Sequence, residues 1–187
     1  MLFMYYAEIK EYDIANGPGV RLSFFVSGCT HHCRGCFNEM TWDFHYGTPY
    51  TKETEDHLLE LLEESAYMGM TLLGGEPMEP QNQKALLPLI KRFKKKYPEK
   101  TLWIFTGYQY DRDLIGRMWD RVPETKEILE RTDVLVDGEY VEEKKDITLL
   151  YKGSSNQRTI DVQKSLLSGN VVLWDPGEVS VSQSSHL

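Results

Sequence analysis

The sequence predicts an α/β fold with a mostly parallel sheet. Short segments rich in β-branched and aromatic residues alternate with segments whose apolar residues recur at helical spacing, as in consecutive βα units. Each of the best-defined strands runs into a turn that contains glycine or polar residues. The chain has 187 residues, whereas a closed eight-unit barrel usually needs about 250. We therefore expect fewer βα units and an open sheet.

The predicted strands are short and mostly apolar, which suits strands buried on both faces. A final strand is also predicted, at a Val-Val-Leu-Trp segment near the end of the chain. In chain order the predicted strands are 20–26, 70–73, 101–106, 133–136 and 171–174.

Helices are predicted between these strands. Leu58, Leu61, Leu62 and Ala66 share one face of a helix over 51–66, and glutamates occupy the other positions. A second set of apolar residues recurs at helical spacing as far as Pro98, which ends that helix. This second set lies at 86–97, and two further helices are predicted at 111–119 and 124–131.

The composition is that of a globular domain, with 41% apolar and 27% charged residues. The formal net charge of −8 argues against general binding to nucleic acid or to anionic membranes. No apolar run approaches the roughly 18 residues that a membrane helix needs. Because the N-terminus lacks a basic start, we expect no signal peptide and a cytoplasmic protein. We expect one domain over 1–174 and a polar, mobile tail over 175–187.

Four strand ends run into turns that could share one face of the sheet. They contain Gly28-Cys29, Gly74-Gly75-Glu76, Gly107 and Asp137-Gly138. Glycine often ends strands for reasons of backbone geometry alone. In parallel α/β folds, however, ligands bind at the carboxyl ends of the strands. Four such turns, one of them carrying cysteine, therefore favour a site on this face.

All three cysteines lie in one short segment, Cys29-x3-Cys33-x2-Cys36. An odd number cannot pair completely within the chain, so the cluster indicates metal binding or redox chemistry. A structural zinc site needs a fourth ligand, which His31 or His32 could supply. A 4Fe–4S cluster with one open iron is favoured, and a redox-active dithiol is the third alternative. Arg34 would favour thiolates nearby, and Gly35 would let backbone amides approach the sulfurs.

Several motifs of the sequence resemble those of a known family. The C-x3-C-x2-C spacing, together with Gly74-Gly75-Glu76-Pro77, resembles the radical S-adenosylmethionine enzymes. Asn16-Gly-Pro-Gly-Val-Arg21 resembles the activases of glycyl-radical enzymes. Asp137-Gly138 and Gly153-Ser-Ser-Asn-Gln157 resemble, in particular, the activases of anaerobic ribonucleoside-triphosphate reductase. Two positions depart from that pattern: Gly35 stands where many relatives have an aromatic residue, and Leu73 stands where they often have Ser or Thr.

The resemblance implies a partial, open βα barrel and a cofactor pair. Cys29, Cys33 and Cys36 would each bind one iron of a 4Fe–4S cluster, and S-adenosylmethionine would chelate the fourth. One electron would cleave the sulfonium, and the resulting 5′-deoxyadenosyl radical would take a hydrogen atom from a glycine of the reductase. The implied partners are the reductase and a flavodoxin-like electron donor. No acid–base catalyst is required, so no catalytic residue is assigned.

The resemblance also gives candidate contacts to S-adenosylmethionine: Gly35, Cys36, Phe37, Gly74, Gly75 and Glu76. Glu76 could accept a hydrogen bond from the methionyl ammonium, support its own turn or be an exposed turn carboxylate. Phe37 could lie near the adenine, seal the cluster or simply pack in the core. Asp137 could serve the active face or only form the Asp-Gly turn. Residues 154–157 are either a solvated loop or a segment near the cofactor.

A basic run at Lys91, Arg92, Lys94, Lys95 and Lys96 is usually a solvated helix face, but it could dock an acidic electron donor. Three other functions remain open. The chain could activate a different glycyl-radical enzyme, or act on a small molecule as the deazaguanine synthases do. It could also be a non-enzymatic zinc or iron–sulfur module.

Overall fold

The computed structural model describes residues 4–177, which form seven strands, four α-helices and shorter helical segments. The strands are β1 (Tyr5–Asp13), β2 (Val20–Val26), β3 (Thr48–Pro49), β4 (Tyr67–Gly74), β5 (Thr101–Phe105), β6 (Val134–Asp137) and β7 (Arg158–Asp161). The α-helices are α1 (Lys52–Leu61), α2 (Pro80–Lys96), α3 (Pro123–Leu129) and α4 (Val162–Ser168). A π-helix spans Tyr110–Met118, and short 3-10 helices span Glu39–Trp42 and Glu142–Lys144.

The seven strands form one open sheet in the order β3-β1-β2-β4-β5-β6-β7. The four central strands β2, β4, β5 and β6 run parallel to one another. Antiparallel strands flank them, with β1 and β3 on one side and β7 on the other. The carboxyl ends of the central strands therefore lie along one edge of the sheet.

One face of the sheet is covered by the helices, which bury a continuous apolar core. Side chains that alternate along the central strands pack there against α1, α2, the π-helix and α3. From the strands this core takes Leu22, Phe24, Val26, Met70, Leu72, Leu102, Ile104 and Leu135. Among residues 4–177, no helix is long and apolar enough to cross a bilayer.

The opposite face is more polar and is organised by a buried arginine. The Arg21 guanidinium donates to the Thr71 and Thr101 hydroxyls at 2.7 and 2.9 Å, and to the carbonyls of Met70 and Thr101 at 2.9 Å each. It thereby joins β2, β4 and β5. The loop that contains Asn16 folds onto this face, because Thr71 donates to the Asn16 carbonyl. The Asn-Gly-Pro-Gly segment thus reaches the interior of the molecule.

The first four strand predictions are confirmed, and 20–26 matches β2 residue for residue. The predicted helices are also present, although α1 ends at Leu61 and leaves Ala66 exposed, and 111–119 forms a π-helix. The strand prediction at 171–174 is wrong. The segment pairs with β7 at an isolated bridge between Leu173 and Ile160. The Asp161 N–H donates to the Val172 carbonyl and the Trp174 N–H donates to the Thr159 carbonyl, both at 2.9 Å, but the pairing is too short to form a strand.

Candidate functional site

The turns that follow the four central strands meet in one cavity of about 470 Å³. This confirms that they share a face, as the sequence predicts. The Asn16 loop and Gln157, from the segment before β7, complete the wall. The predicted site residues that line the cavity are Cys29, Cys33, Gly35, Cys36, Phe37, Gly74, Gly75 and Glu76.

The cysteine segment begins as a tight loop fastened to the chain that follows it. Gly28 has a φ of +97°, which strongly favours glycine. Its N–H donates to the Thr41 carbonyl at 2.8 Å, and the Cys29 N–H donates to the Trp42 carbonyl at 3.2 Å. All three thiols are free: Cys29 is buried, whereas Cys33 and Cys36 are half-buried. The loop therefore presents three thiols to one cavity.

The protein environment keeps two of these thiols neutral in the absence of metal. Burial raises the pKa of the Cys29 thiol to about 12, although the His31 and His32 N–H groups favour its thiolate. Burial also raises the pKa of Cys33. Because metals bind thiolates, metal loading must release these protons. The Asn38 N–H lies 3.5 Å from the Cys36 Sγ and donates to it, the kind of contact that tunes the potential of an iron–sulfur cluster.

His31 joins the cysteine segment to the turns after β4 and β6. Its Nε2 lies 3.0 Å from the Glu76 Oε2, and its Nδ1 lies 2.8 Å from the Glu139 Oε1. Burial alone would lower its pKa, but Glu76, and then Glu139, raise it to about 9. Both ring nitrogens therefore lie near carboxylates, but only the Nδ1 makes a hydrogen bond, whereas the buried Nε2 has no hydrogen-bond partner among the described residues.

The donor set fits a cluster better than a single ion. Among residues 4–177, no group of three or more His, Cys, Asp or Glu side chains is arranged to hold one metal ion. In a 4Fe–4S cluster each thiolate binds a different iron, so the sulfurs need not converge on one point. Three free thiols around one cavity therefore suit such a cluster, with the fourth iron left to another ligand.

The glycine pair after β4 is required by close backbone packing. Gly74 has a φ of +109°. The Gly75 N–H donates to the Val26 carbonyl at 2.7 Å, and the Glu76 N–H donates to the Gly28 carbonyl at 2.8 Å. A Cβ on Gly75 would lie 2.8 Å from the Gly28 carbonyl oxygen. The turn after β4 is thereby locked to the cysteine segment.

The buried side chain of Glu76 supports the turns around it. Its Oε1 accepts from the Met78 N–H at 2.8 Å, and its Oε2 accepts from the Gly107 N–H at 2.7 Å and contacts His31. It is not an exposed turn carboxylate, since it is 1% exposed. Of the roles considered for Glu76, this geometry favours support of the turn.

A second carboxylate, Glu79, was missed by the sequence reasoning. It stands at the N-cap of α2 but makes no capping hydrogen bond with its side chain. Instead, its Oε1 accepts from the Thr30 N–H at 2.9 Å and from the Thr30 hydroxyl. Glu76 and Glu79 thus hold two consecutive residues between Cys29 and Cys33. The available signal was a second glutamate three residues after the first, at the start of a helix.

The residues on either side of Cys36 lie toward the surface. Phe37 lines the cavity but is 86% exposed, which rules out core packing. Gly35 has a φ of +75°, and a Cβ there would lie 2.3 Å from the Glu142 Oε2. Arg34 forms an exposed ion pair with Glu143 at 3.1 Å. Arg34 therefore has an acidic partner, Glu143, in solvent.

Asp137 is buried and does not reach the cavity. Its carboxylate accepts from the Tyr110 N–H at 2.7 Å and pairs with Arg158, which also contacts Asp111. Gln157 donates to the Gly138 carbonyl at 2.9 Å and accepts from the Gly153 N–H at 2.9 Å. The 153–157 segment is therefore tied to the turn after β6, and Gly153 and Gln157 line the cavity wall.

The basic run lies on α2 and is largely paired within the chain. Lys91 contacts Glu127, Arg92 contacts Glu55 and Asp56, Lys94 contacts Asp133, and Lys96 contacts Glu63. This arrangement agrees with a solvated helix face, and it leaves little unbalanced positive charge for docking.

Comparison with known proteins agrees with this geometry. A family model described as a 4Fe-4S single cluster domain matches residues 15–160. An anaerobic ribonucleoside-triphosphate reductase-activating protein of Salmonella typhimurium is 40% identical over 156 residues, covering 82% of this chain and 96% of that protein. Proteins of the same name from Escherichia coli K12 and Enterobacteria phage T4 are 39% and 38% identical, covering 82% and 83% of this chain and 96% and 92% of their own. The chain belongs to the family of anaerobic ribonucleoside-triphosphate reductase-activating proteins.

Proposed function

We propose that this chain activates an anaerobic ribonucleoside-triphosphate reductase by forming a glycyl radical on it, in a reaction that consumes S-adenosylmethionine. The relatives are named for activating this reductase, and the chain aligns with most of their length. The observation that carries the proposal is the meeting of three free thiols with the glycine turn after β4 in one cavity. The cysteine segment and this glycine turn are the two sequence features that resemble the radical S-adenosylmethionine enzymes.

Cys29, Cys33 and Cys36 would hold a 4Fe–4S cluster. When bound, the cluster and S-adenosylmethionine together supply a one-electron cleavage of a carbon–sulfur bond and a carbon radical able to accept a hydrogen atom. The protein contributes the placement of both groups. The Gly28 turn orients Cys29, and the Asn38 N–H stabilises negative charge on the Cys36 sulfur.

S-adenosylmethionine would occupy the rest of the cavity. We assign its methionyl part to the backbone of Gly74 and Gly75, since the Glu76 carboxylate already has partners. Gly35 and Cys36 would adjoin the cofactor from the cysteine segment, and the exposed ring of Phe37 would cover it from the solvent side. A cavity of about 470 Å³ suits a ligand of this size.

The wider assignments rest on the same resemblance. We propose a partial, open βα barrel of the radical S-adenosylmethionine type, supported by four parallel strands in an open sheet. The domain would span 1–174, with a tail over 175–187, most of which lies outside the described residues. The proposed electron donor is a flavodoxin-like protein, and we propose a cytoplasmic location without nucleic-acid or membrane partners.

The test combines the reconstituted chain, dithionite, S-adenosylmethionine and the reductase in the absence of oxygen. We expect electron paramagnetic resonance to show a glycyl radical on the reductase. Reductase whose target glycine is replaced by alanine should show none, and neither should the Cys33→Ser chain. Cleavage of S-adenosylmethionine without radical formation on the reductase would point to another glycyl-radical enzyme or a small molecule. A zinc protein, or a cluster indifferent to S-adenosylmethionine, would contradict the proposal.

A further inference from the structure

One buried side chain contacts both of the turns that carry the site motifs. Asn82 is the third residue of α2 and is fully buried. Its Nδ2 donates to the Ser27 carbonyl at 3.0 Å and to the Glu76 carbonyl at 2.9 Å, and it lies 3.4 Å from the Gly28 carbonyl. Ser27 and Gly28 precede Cys29, whereas Glu76 follows the glycine pair after β4. A single amide thus links the cysteine segment to the glycine turn.

These contacts reinforce backbone hydrogen bonds that already join the two segments. The Gly75 N–H donates to the Val26 carbonyl, and the Glu76 N–H donates to the Gly28 carbonyl. The Gly28 carbonyl therefore accepts from the glycine turn and also faces the Asn82 amide. We call this set of contacts the junction. It is held by two backbone hydrogen bonds and, through Asn82, by α2.

Stability alone does not account for an amide at this position. The Asn82 Oδ1 is buried and has no hydrogen-bond partner among the described residues. A buried acceptor without a partner lowers the stability of the folded state. The amide has two N–H groups, and both are directed at the carbonyls of the two turns. An amide that carries this cost while it serves two separate turns indicates a role in fixing those turns.

We propose that Asn82 is a positioning residue that sets the distance between the cysteine segment and the glycine turn. This inference rests on the proposed function, in which Cys29 binds the cluster and the backbone of Gly74 and Gly75 binds the methionyl part of S-adenosylmethionine. Asn82 does not line the cavity, so it acts on both groups only through the backbone that holds them. The reaction depends steeply on this placement, since a displacement of about 1 Å can cost about 100-fold in rate.

The neighbouring residue offers a control of matched chemistry. Gln83 is also a fully buried amide near the start of α2. Its Nε2 donates to the Met78 carbonyl at 2.7 Å, and its Oε1 accepts from the Thr125 hydroxyl at 2.8 Å. Neither of these hydrogen bonds reaches the junction. Gln83→Ala therefore removes a buried amide and leaves the junction intact.

The first measurement is hydrogen exchange in the metal-free chain. Asn82→Ala should raise the exchange rates of the Gly75 and Glu76 N–H groups about tenfold relative to the other amides of β4, because the junction opens locally. Gln83→Ala should also lower the urea midpoint of unfolding, since it too removes a buried amide, but it should leave this ratio of exchange rates unchanged.

The second measurement is cleavage of S-adenosylmethionine by the reconstituted, dithionite-reduced chain without the reductase. Asn82→Ala keeps all three cysteines and should still assemble a cluster, but its cleavage rate should fall about 10- to 100-fold. Gln83→Ala should cleave at the wild-type rate. Asn82→Asp keeps the size of the side chain and at most one donor, so it should change both measurements in the same direction even where Asn82→Ala is too unstable to use.

Equal exchange ratios, or equal cleavage rates, in the Asn82 and Gln83 variants would overturn the inference, because Asn82 would then only stabilise the fold. Failure of the wild type to cleave S-adenosylmethionine would instead count against the proposed function. Exchange in the metal-free chain does not depend on that function, so the two failures are distinguishable.

Discussion

At the scale of single residues, two carboxylates fix the backbone between Cys29 and Cys33. Glu76 contacts the His31 ring, and Glu79 accepts from both the N–H and the hydroxyl of Thr30. Both carboxylates are buried, so their hydrogen bonds face little competition from water. The sequence indicated a role for Glu76 but not for Glu79. Thr30, the partner of Glu79, lies 49 residues away in the sequence, and no local sequence pattern reveals a contact over that separation.

Glu79→Ala should therefore loosen the cluster without removing a ligand. Replacing a residue that supports metal ligands typically lowers metal affinity by about 10- to 100-fold. We therefore expect iron release to a chelator to be about tenfold faster in this variant. The measurement is the decay of the cluster absorbance in anaerobic, reconstituted protein.

Glu79→Gln keeps an acceptor for the Thr30 N–H and should stay close to the wild type. Glu99→Gln, on an exposed turn, is the matched control. Equal release rates for Glu79→Ala and Glu99→Gln would show that the Thr30 contact does not hold the cluster.

Arg21 is a second residue with a role beyond its motif. Its guanidinium bridges three strands through four hydrogen bonds, and burial lowers its pKa to about 10. Lysine cannot reproduce this planar fork. Arg21→Lys should lower the free energy of unfolding of the metal-free protein by about 2 kcal/mol in urea titrations. Arg121→Lys, on the surface, should change it by less than about 0.5 kcal/mol, and an equally small loss for Arg21→Lys would refute the bridging role.

At the scale of elements, the sequence predicts the buried central strands well and the outer strands of the sheet poorly. The central strands are almost wholly buried, so their apolar composition identifies them. In contrast, β1 carries Glu8, Lys10 and Glu11, and three of the four residues of β7 are polar or charged, so neither shows an apolar run. The segment 171–174 has the apolar composition of a strand, but it pairs with β7 only around a single bridge at Leu173. Apolar content alone does not show how far a segment pairs with its neighbour.

The π-helix after β5 contains an acid that should couple stability to pH. Burial would raise the pKa of Asp113, but hydrogen bonds from Arg112 and the Gln109 N–H, with the nearby Arg117 charge, hold it below its ordinary value of 3.8. The native state thus favours the carboxylate, and its stabilising effect is complete above 3.8.

The stability difference between the wild type and Asp113→Asn should accordingly be constant near neutral pH. It should shrink as the pH falls below 3.8 and through the lower folded-state pKa. Urea unfolding of both proteins between pH 2 and pH 7 measures this difference. A difference that does not depend on pH would contradict the assigned ion pairs.

At the scale of the whole molecule, the parallel strands bring separate motifs to one place. Because the turns after β2, β4, β5 and β6 meet at one edge of the sheet, residues as distant as Cys29, Gly74 and Gly153 line one cavity. The sequence could predict this convergence, since it follows from strand direction. It could not predict that Phe37 and Ile147 are exposed, because their exposure depends on how two loops pack together.

We propose that three cysteines hold a 4Fe–4S cluster with one iron open to S-adenosylmethionine. The most direct measurement is electron paramagnetic resonance of the anaerobically reconstituted, dithionite-reduced chain, with and without S-adenosylmethionine. We predict the signal of a reduced 4Fe–4S cluster whose g-values change when S-adenosylmethionine is added. A chain that assembles no cluster, or a cluster signal that does not change, would contradict the claim and return Cys29, Cys33 and Cys36 to a structural or redox role.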